Sequence, residues 1–411
     1  MSPWGTSPQR GNMEYIEAKK ILLNKVKEIE VESIKTENAF NRILATDLVA
    51  NKDVPSFNRS PLDGYCFNCV DTVNASKDNP LYFEIIDELP CGKVATKKIG
   101  KYQTIKLMTG AKLPDGANCV IRYEDVEVVD GKVKLCYELK ENQNVILAGE
   151  DVKKGISLAK KGDLIDMGVV GISASLGFEN IDVYKKLKIG YISTGTELLE
   201  LGDKEVEGKI YNSNRYIFDA ILKKFNIDFV YYGIVSDDLD ELQNIFDKAT
   251  KECDVVLSTG GVSAGDYDLI EDTLVRLGFD IFVNGINMKP GMACCFGEKN
   301  GKIVLGLSGN PMSSVTTFYA VCLPALKKMM GYRKFDNKYF KVTLKNSFHK
   351  RIGNIRFLRA KVDIEDGKVV AYLNNDQGNI VIKSLIDCNA MIIAEGVTEA
   401  KEGMTFDCMW L

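Results

Sequence analysis

The chain has 411 residues, 45% hydrophobic and 27% charged, with a net charge of −4. That length exceeds what one hydrophobic core serves, so about two to four domains are expected. The near-neutral charge gives no global reason to bind nucleic acid. No apolar run reaches membrane-spanning length and no signal-peptide core opens the chain, so a cytoplasmic protein with no nucleic-acid partner and no membrane span is expected.

Residues 1–12 are polar and Pro/Gly-bearing and are expected to be an expression remnant outside the fold. The eleven cysteines are scattered and odd in number, as reduced cytosolic thiols would be. Cys66 and Cys69 match CxxC, but no second CxxC or histidine pair completes a zinc site. His349 is the single histidine. This nearly excludes His-based acid/base chemistry, a Ser-His-Asp triad and His-rich metal sites. Any metal should be a hard cation held by oxygen.

In chain order, residues 13–30 carry apolar positions at Ile16, Ala18, Ile21, Leu22, Val26 and Ile29, a helical spacing. Residues 39–50 read either as a continuing helix or as a connecting strand. VPSFNRSPLDGY, from Val54 to Tyr65, has two prolines and an Asp-Gly turn. It reads as a surface turn or as a rigid loop presenting Ser60 and Asp63. From Tyr65 to Leu139 short alternating segments separated by Asp-Gly, Gly-Lys and Pro-Asp-Gly turns predict an all-β region. Within it, Met108-Thr109-Gly110-Ala111 is a small-residue loop. Gly149-Glu150-Asp151 then leads back toward the first helical region, and Met167–Leu176 reads as a small-residue helix.

Residues 187–331 alternate strand and helix patterns with short loops, which implies a mostly parallel sheet covered on both faces. Ligands on such sheets lie beyond the carboxyl ends of the strands. That rule selects Ser193–Glu197 (with Gly195), Ser236-Asp237-Asp238, Thr259–Asp268, Lys289-Pro290-Gly291, and Ser308-Gly309-Asn310-Pro311. The central stretch, DVVLSTGGVSAGDYD, is a buried-strand pattern broken by Gly260-Gly261 and followed by Asp266 and Asp268. A strand, a Gly/Ser/Thr loop and a helix make a phosphate-binding arrangement, and a carboxylate beside it suggests a bridging magnesium ion. An ordinary strand-to-helix turn with a solvated aspartate is the alternative. In the last loop Asn310 is a good N-cap and Pro311 a good first helical residue. Lys289 puts a cation beside these loops or is a solvated surface lysine. Residues 340–411 are short strands that predict a small β-barrel or β-sandwich. There Arg356 is expected in solvent, and Arg359 is either solvated or within reach of a neighbouring site.

SPLDGY, MTGA, GED, STGTEL, YNSNR, TGGVSAGDYD, KPG and GLSGNP occur in this order from about residue 13 to the end. Together they resemble the MoeA–gephyrin E-domain family of molybdopterin molybdenumtransferases. The resemblance implies an α/β multidomain fold. Its parts would be a discontinuous elongated domain (13–50 and 141–186), an inserted β domain (51–140), a three-layer MogA-like α/β domain (187–334) and a C-terminal β-barrel-like domain (335–411). It further implies a homodimer with the active site at the subunit cleft, and the conversion of adenylylated molybdopterin and molybdate to molybdenum cofactor with Mg²⁺ and release of AMP. Traffic with the molybdopterin adenylyltransferase and with molybdoenzyme maturation proteins is also expected.

On this resemblance the adenylate lies on the loops around Thr259, Gly260, Gly261, Ser263 and Gly265. Glu197, Asp237 and Asp266 are the acids for metal or phosphate. Asp63, Thr109 and Asp151 come from the other subunit, Lys289 neutralises phosphate or molybdate, and Arg359 arrives from the tail domain. Thr196, Ser308, Met292, Ala293 and Ile146 depart from the family's commonest residues, and the site is expected to be less basic around the oxyanion. Two rivals share parts of the fold: a non-catalytic scaffold, and an adenylyltransferase, against which both β domains argue. A dinucleotide oxidoreductase would need GxGxxG, which residues 189–197 lack.

Overall fold

The computed structural model of the chain describes residues 13–262, 269–350, 352 and 355–411. A six-stranded sheet forms the centre. Its spatial order is Asp228–Val235, Lys188–Thr194, Val255–Thr259, Lys302–Leu307, Cys294–Lys299 and Asp280–Asn284. The first four strands are parallel, and only Cys294–Lys299 runs against its neighbours. Both faces are covered. Val256 and Ile192 pack toward Leu242 and Phe246 of the helix Leu239–Glu252, while Leu257 and Tyr191 pack toward Phe218 and Phe318. Residues buried on both faces explain why these strands read as continuous apolar runs. Cys294 and Cys295 are buried in their strand, one on each side of the sheet.

Most elements lie where the pattern puts them, and three differ. The first helix is Tyr15–Lys25 and stops at Val26. The segment beyond it is held extended by tertiary bonds, such as Ile29 N–H to the Met329 carbonyl. That helix was grouped by sequence with the elongated region, yet Tyr15, Ala18 and Leu22 share the core of the central unit. Residues 39–50 become neither a helix nor a full strand; Leu48–Val49 pair with Ser157–Ala159, and Ile43 and Leu44 make single bridges to Leu164 and Val183. The long helix after Pro311 carries a π turn at Phe318–Cys322 before Leu323–Met329. Pro324 has no N–H to give the turn before it, and the ladder widens there.

Val31–Lys35 pairs with Asn180–Tyr184, so the chain leaves after residue 50 and returns beside its own start. Between them a six-stranded sheet runs Cys119–Arg122, Gly64–Phe67, Gln103–Leu107, Leu81–Leu89, Lys132–Leu135, Glu127–Val129. At the other end Tyr339–Leu344, Lys368–Leu373, Ile355–Glu365, Ala390–Glu395 and Thr405–Trp410 close into a barrel. The barrel's outer face is not free: Ile355 and Phe357 belong to the central core, and Tyr15 meets the Phe357 ring edge-on at 5.3 Å. Among the described residues no helix is long and apolar enough to cross a membrane.

Candidate active site

A cavity of about 830 Å³ lies beyond the carboxyl ends of the parallel strands. It is lined by Gly195, Glu197, Asp237, Thr259, Gly260, Gly261, Lys289, Ser308, Gly309, Asn310 and Pro311. Five loops far apart in sequence therefore converge on one volume. Ser263, Gly265 and Asp266 lie outside the described residues.

Gly260 shows why the turn needs glycine. Its φ is +100°, and a Cβ there would run into the Thr194 carbonyl and hydroxyl. Its N–H donates to the Leu307 carbonyl at 3.0 Å, binding this loop to the one that follows. Thr259 is 3% exposed, and its hydroxyl is engaged with the Tyr191 hydroxyl at 2.7 Å. Asn310 occupies the N-cap position before Pro311, but its side chain makes no capping bond. The Asn310 N–H instead donates to the Ser308 hydroxyl at 3.2 Å.

Residues that pattern reading passed over build the facing wall. Asn212 and Asn214, both within the YNSNR string, line the cavity. Asn214 Nδ2 donates to the Gly309 carbonyl at 2.7 Å, and its Oδ1 is sealed from solvent without a partner. Asn212 is 2% exposed and sits in a web with Ser193, Glu200 and Tyr231. Burial pushes the Glu200 carboxyl up, but donors from Tyr231, Arg215 and Asn212 outweigh it and hold the group below its usual range.

A smaller cavity of about 160 Å³ adjoins the first, and Lys289, Pro290 and Asn379 line both. Lys350 and Arg356 also line it. Arg356 is not free in solvent: it is half-buried, its guanidinium lies 5.1 Å from the Phe348 ring centroid, and its Nε is sealed without a partner. Along the strand Ile355–Glu365, Arg356 shares a face with Leu358, Ala360 and Val362, which fill the barrel. Arg359 is on the opposite face, 1% exposed, and lines neither cavity. Its Nη2 donates to the carbonyls of Asp376 and Gly378, at 3.3 and 3.0 Å. It thus holds from below the strap that carries Asn379, while its Nε and Nη1 have no partner.

Asp63, Thr109 and Asp151 are exposed and line neither cavity of the same chain. Asp63 accepts from the Thr109 N–H at 2.5 Å and from its hydroxyl at 2.8 Å, which holds its carboxyl below the usual range. Met292 and Ala293 line the large cavity, Met292 being 57% exposed. Ile146 instead pairs with Arg59 through the backbone. Burial pushes the Cys66 thiol up to about 12, as suits a packing residue. Among the described residues no group of three or more His, Cys, Asp or Glu could hold a metal unaided. Glu197 and Asp237 still offer two carboxylates in one cavity. That suits a hard cation such as Mg²⁺, which takes one or two carboxylates and completes its shell with phosphate and water.

Loops of this composition at the ends of a parallel sheet, with a β unit on either side, define a multidomain α/β protein with a polar-lined cavity at the strand ends. Comparison with known families and structures narrows that class. Residues 13–177 match the MoeA N-terminal region (domain I and II), 190–328 a probable molybdopterin binding domain, and 341–411 the MoeA C-terminal region (domain IV). The chain is 33% identical over 382 residues to a molybdopterin molybdenumtransferase of Staphylococcus epidermidis, covering 93% of this chain and 91% of that protein. It is 31% identical over 392 residues to that of Staphylococcus aureus, covering 95% and 94%. A molybdopterin biosynthesis MoeA protein from Pyrococcus horikoshii superposes with a TM-score of 0.85 at 28% identity, over 97% of this chain and 98% of that one. The chain belongs to the MoeA family of molybdopterin molybdenumtransferases.

Proposed function

We propose that this protein is a molybdopterin molybdenumtransferase that combines adenylylated molybdopterin with molybdate, releasing AMP in the formation of molybdenum cofactor. The observation that carries the reading is the convergence of Gly260-Gly261, Ser308–Pro311, Glu197, Asp237 and Lys289 on one cavity. A phosphoanhydride is polyanionic, and its cleavage is served by fixed donors and cations; no histidine is required. The glycine turn lets a phosphate approach the backbone closely, and Lys289 meets its charge. Glu197 and Asp237 are the residues that would hold Mg²⁺, with Asp266 as a third candidate, and the ion would supply charge neutralisation at the phosphates. The oxyanion belongs in the smaller cavity, where Arg356, Lys350 and Lys289 gather cationic groups beside the phosphate loops.

The protein acts as a homodimer in this reading. Asp63, Thr109 and Asp151 lie away from the cavity of their own chain and complete that of the second copy. The helix Met167–Leu176 fits a subunit contact, since Met167 is 86% exposed at the head of an almost wholly apolar sequence.

The test is AMP release from adenylylated molybdopterin by the purified protein with Mg²⁺, with and without molybdate or tungstate. Oxyanion-dependent release is expected. Tight binding of the adenylate without release would make the protein a carrier. Shared sites can be read separately by mixing Asp63→Asn with Lys289→Ala protein. Subunit exchange should restore up to about a quarter of wild-type activity if each site draws on both chains.

A further inference from the structure

Glu197 reaches the cavity from a poorly supported piece of chain. It precedes the strand Leu198–Leu199, which pairs over two residues with Ile210–Tyr211. Ile210 N–H donates to the Glu197 carbonyl at 2.9 Å, and Asn212 N–H to the Leu199 carbonyl at 2.8 Å. Two-residue strands at the rim of a large cavity do not hold their place unaided.

The support comes from side chains immediately beyond the ends of both strands. Glu200 follows one and Asn212 the other. Asn212 Nδ2 donates to Ser193 Oγ at 2.9 Å, to the Tyr231 hydroxyl at 3.1 Å and to Glu200 Oε1 at 3.3 Å. The Tyr231 hydroxyl donates to Glu200 in a short bond. Arg215 Nη1 binds Glu200 Oε2 at 2.6 Å, and the same guanidinium lies 4.0 Å from the Tyr231 ring centroid. Ser193 and Tyr231 belong to the two adjacent parallel strands of the central sheet. The short pair is therefore fastened to the central sheet by one carboxylate, one guanidinium and one phenol.

We propose that Glu200, Tyr231 and Arg215 are positioning residues that clasp the segment carrying Glu197 and Asn212 against the sheet, and so set the affinity of the cavity for a cation and a nucleotide phosphate. The inference rests on the function proposed above for the same cavity. None of the three residues is assigned to contact substrate. They act through Glu197 and Asn212, as outer-shell partners orient a metal site.

Two substitutions keep the packing and remove the clasp. Tyr231→Phe leaves the ring beneath Arg215 and deletes the hydroxyl, and Glu200→Gln keeps the shape and removes the charge. Full-length variants are titrated with Mg²⁺ while AMP release is followed, and AMP binding is measured calorimetrically with and without Mg²⁺. Half-saturating Mg²⁺ is expected to rise about 10-fold or more in each variant. Mg²⁺-dependent AMP binding should weaken in parallel, kcat should recover at saturating Mg²⁺, and the melting temperature should stay close to wild type. Arg215→Lys should restore part of what Arg215→Ala loses. Unchanged half-saturation and AMP affinity in a folded variant would overturn the proposal. So would a loss of kcat that saturating Mg²⁺ does not relieve. If the wild-type protein releases no AMP, the functional reading fails, while Mg²⁺-dependent AMP binding still decides whether the clasp matters.

Discussion

The central sheet and the C-terminal barrel approach the same pair of cavities by different routes. The sheet supplies backbone: glycine turns and a proline-started helix at strand ends, with hydroxyls such as Thr259 locked into the core. The barrel region supplies charge, through Arg356 and Lys350 lining the smaller cavity, while Arg359 holds the strap of Asn379 from beneath. Backbone sites tolerate no change of shape. Charged side chains act over distance and yield by degrees. In the proposed reading the sheet gives shape for the phosphate, and the barrel region, with Lys289 of the central unit, gives charge for the oxyanion.

The sharpest way to break the comparison is Gly260→Ala. The new Cβ meets the Thr194 carbonyl at a φ of +100°, so the turn must move. A stability loss of about 1–3 kcal/mol is expected, and AMP release should fall about 100-fold from misplacement alone. Both can be read by denaturant melting and single-turnover assay. Arg356→Gln tests the other side. Removing a half-buried cation should raise half-saturating molybdate about 10- to 100-fold, while calorimetric AMP affinity stays at the wild-type value. Equal loss of AMP affinity would mean that the two regions are not separable.

Met292→Lys sharpens the contrast by adding charge to the large cavity. Because Met292 is 57% exposed, solvent screens the gain, and oxyanion affinity should tighten only about two- to fivefold. An affinity no tighter than wild type would remove the idea that this position tunes the anion. The smallest effect concerns pH. Asp63 is ionised below the usual carboxylate range because Thr109 donates to it twice. A depressed folded value means that its contribution is fully present above the ordinary aspartate range and fades only as pH falls through the lowered value. The Asp63 carboxyl carbon shift, followed by NMR from pH 7 downward, should therefore show a midpoint below the ordinary aspartate value. A midpoint at or above the ordinary value would show that the Thr109 bonds do not form in solution.

The large cavity was legible because its loops obey a local rule: apolar strand, small-residue turn, helix. Each of Gly195, Gly260 and Ser308 could be placed at a strand end without knowing its neighbours. The two arginines were not legible. A strand whose outer face is also covered offers no solvent side, so period-two reading cannot say which charged residue meets a cavity. Arg356, read as solvated, lines the small cavity, and Arg359, read as within reach of the site, is sealed beneath the strap. The web around Glu200 was hidden for a different reason. Ser193, Glu200, Asn212, Arg215 and Tyr231 come from four segments, and only the sheet register brings them together. The packing of the first helix on the central core was not legible because amphipathic spacing gives a face and not the partner of that face.

Lys289, Pro290 and Asn379 form the partition between the two cavities. A single ammonium at a partition has one charge to share. When anions stand on both sides, each receives less of it, and the two ligands loosen one another. Linkage makes that penalty mutual: whatever the second anion loses on arrival, the first loses in residence. If anions occupy both cavities, arrival of the second therefore hastens departure of the first.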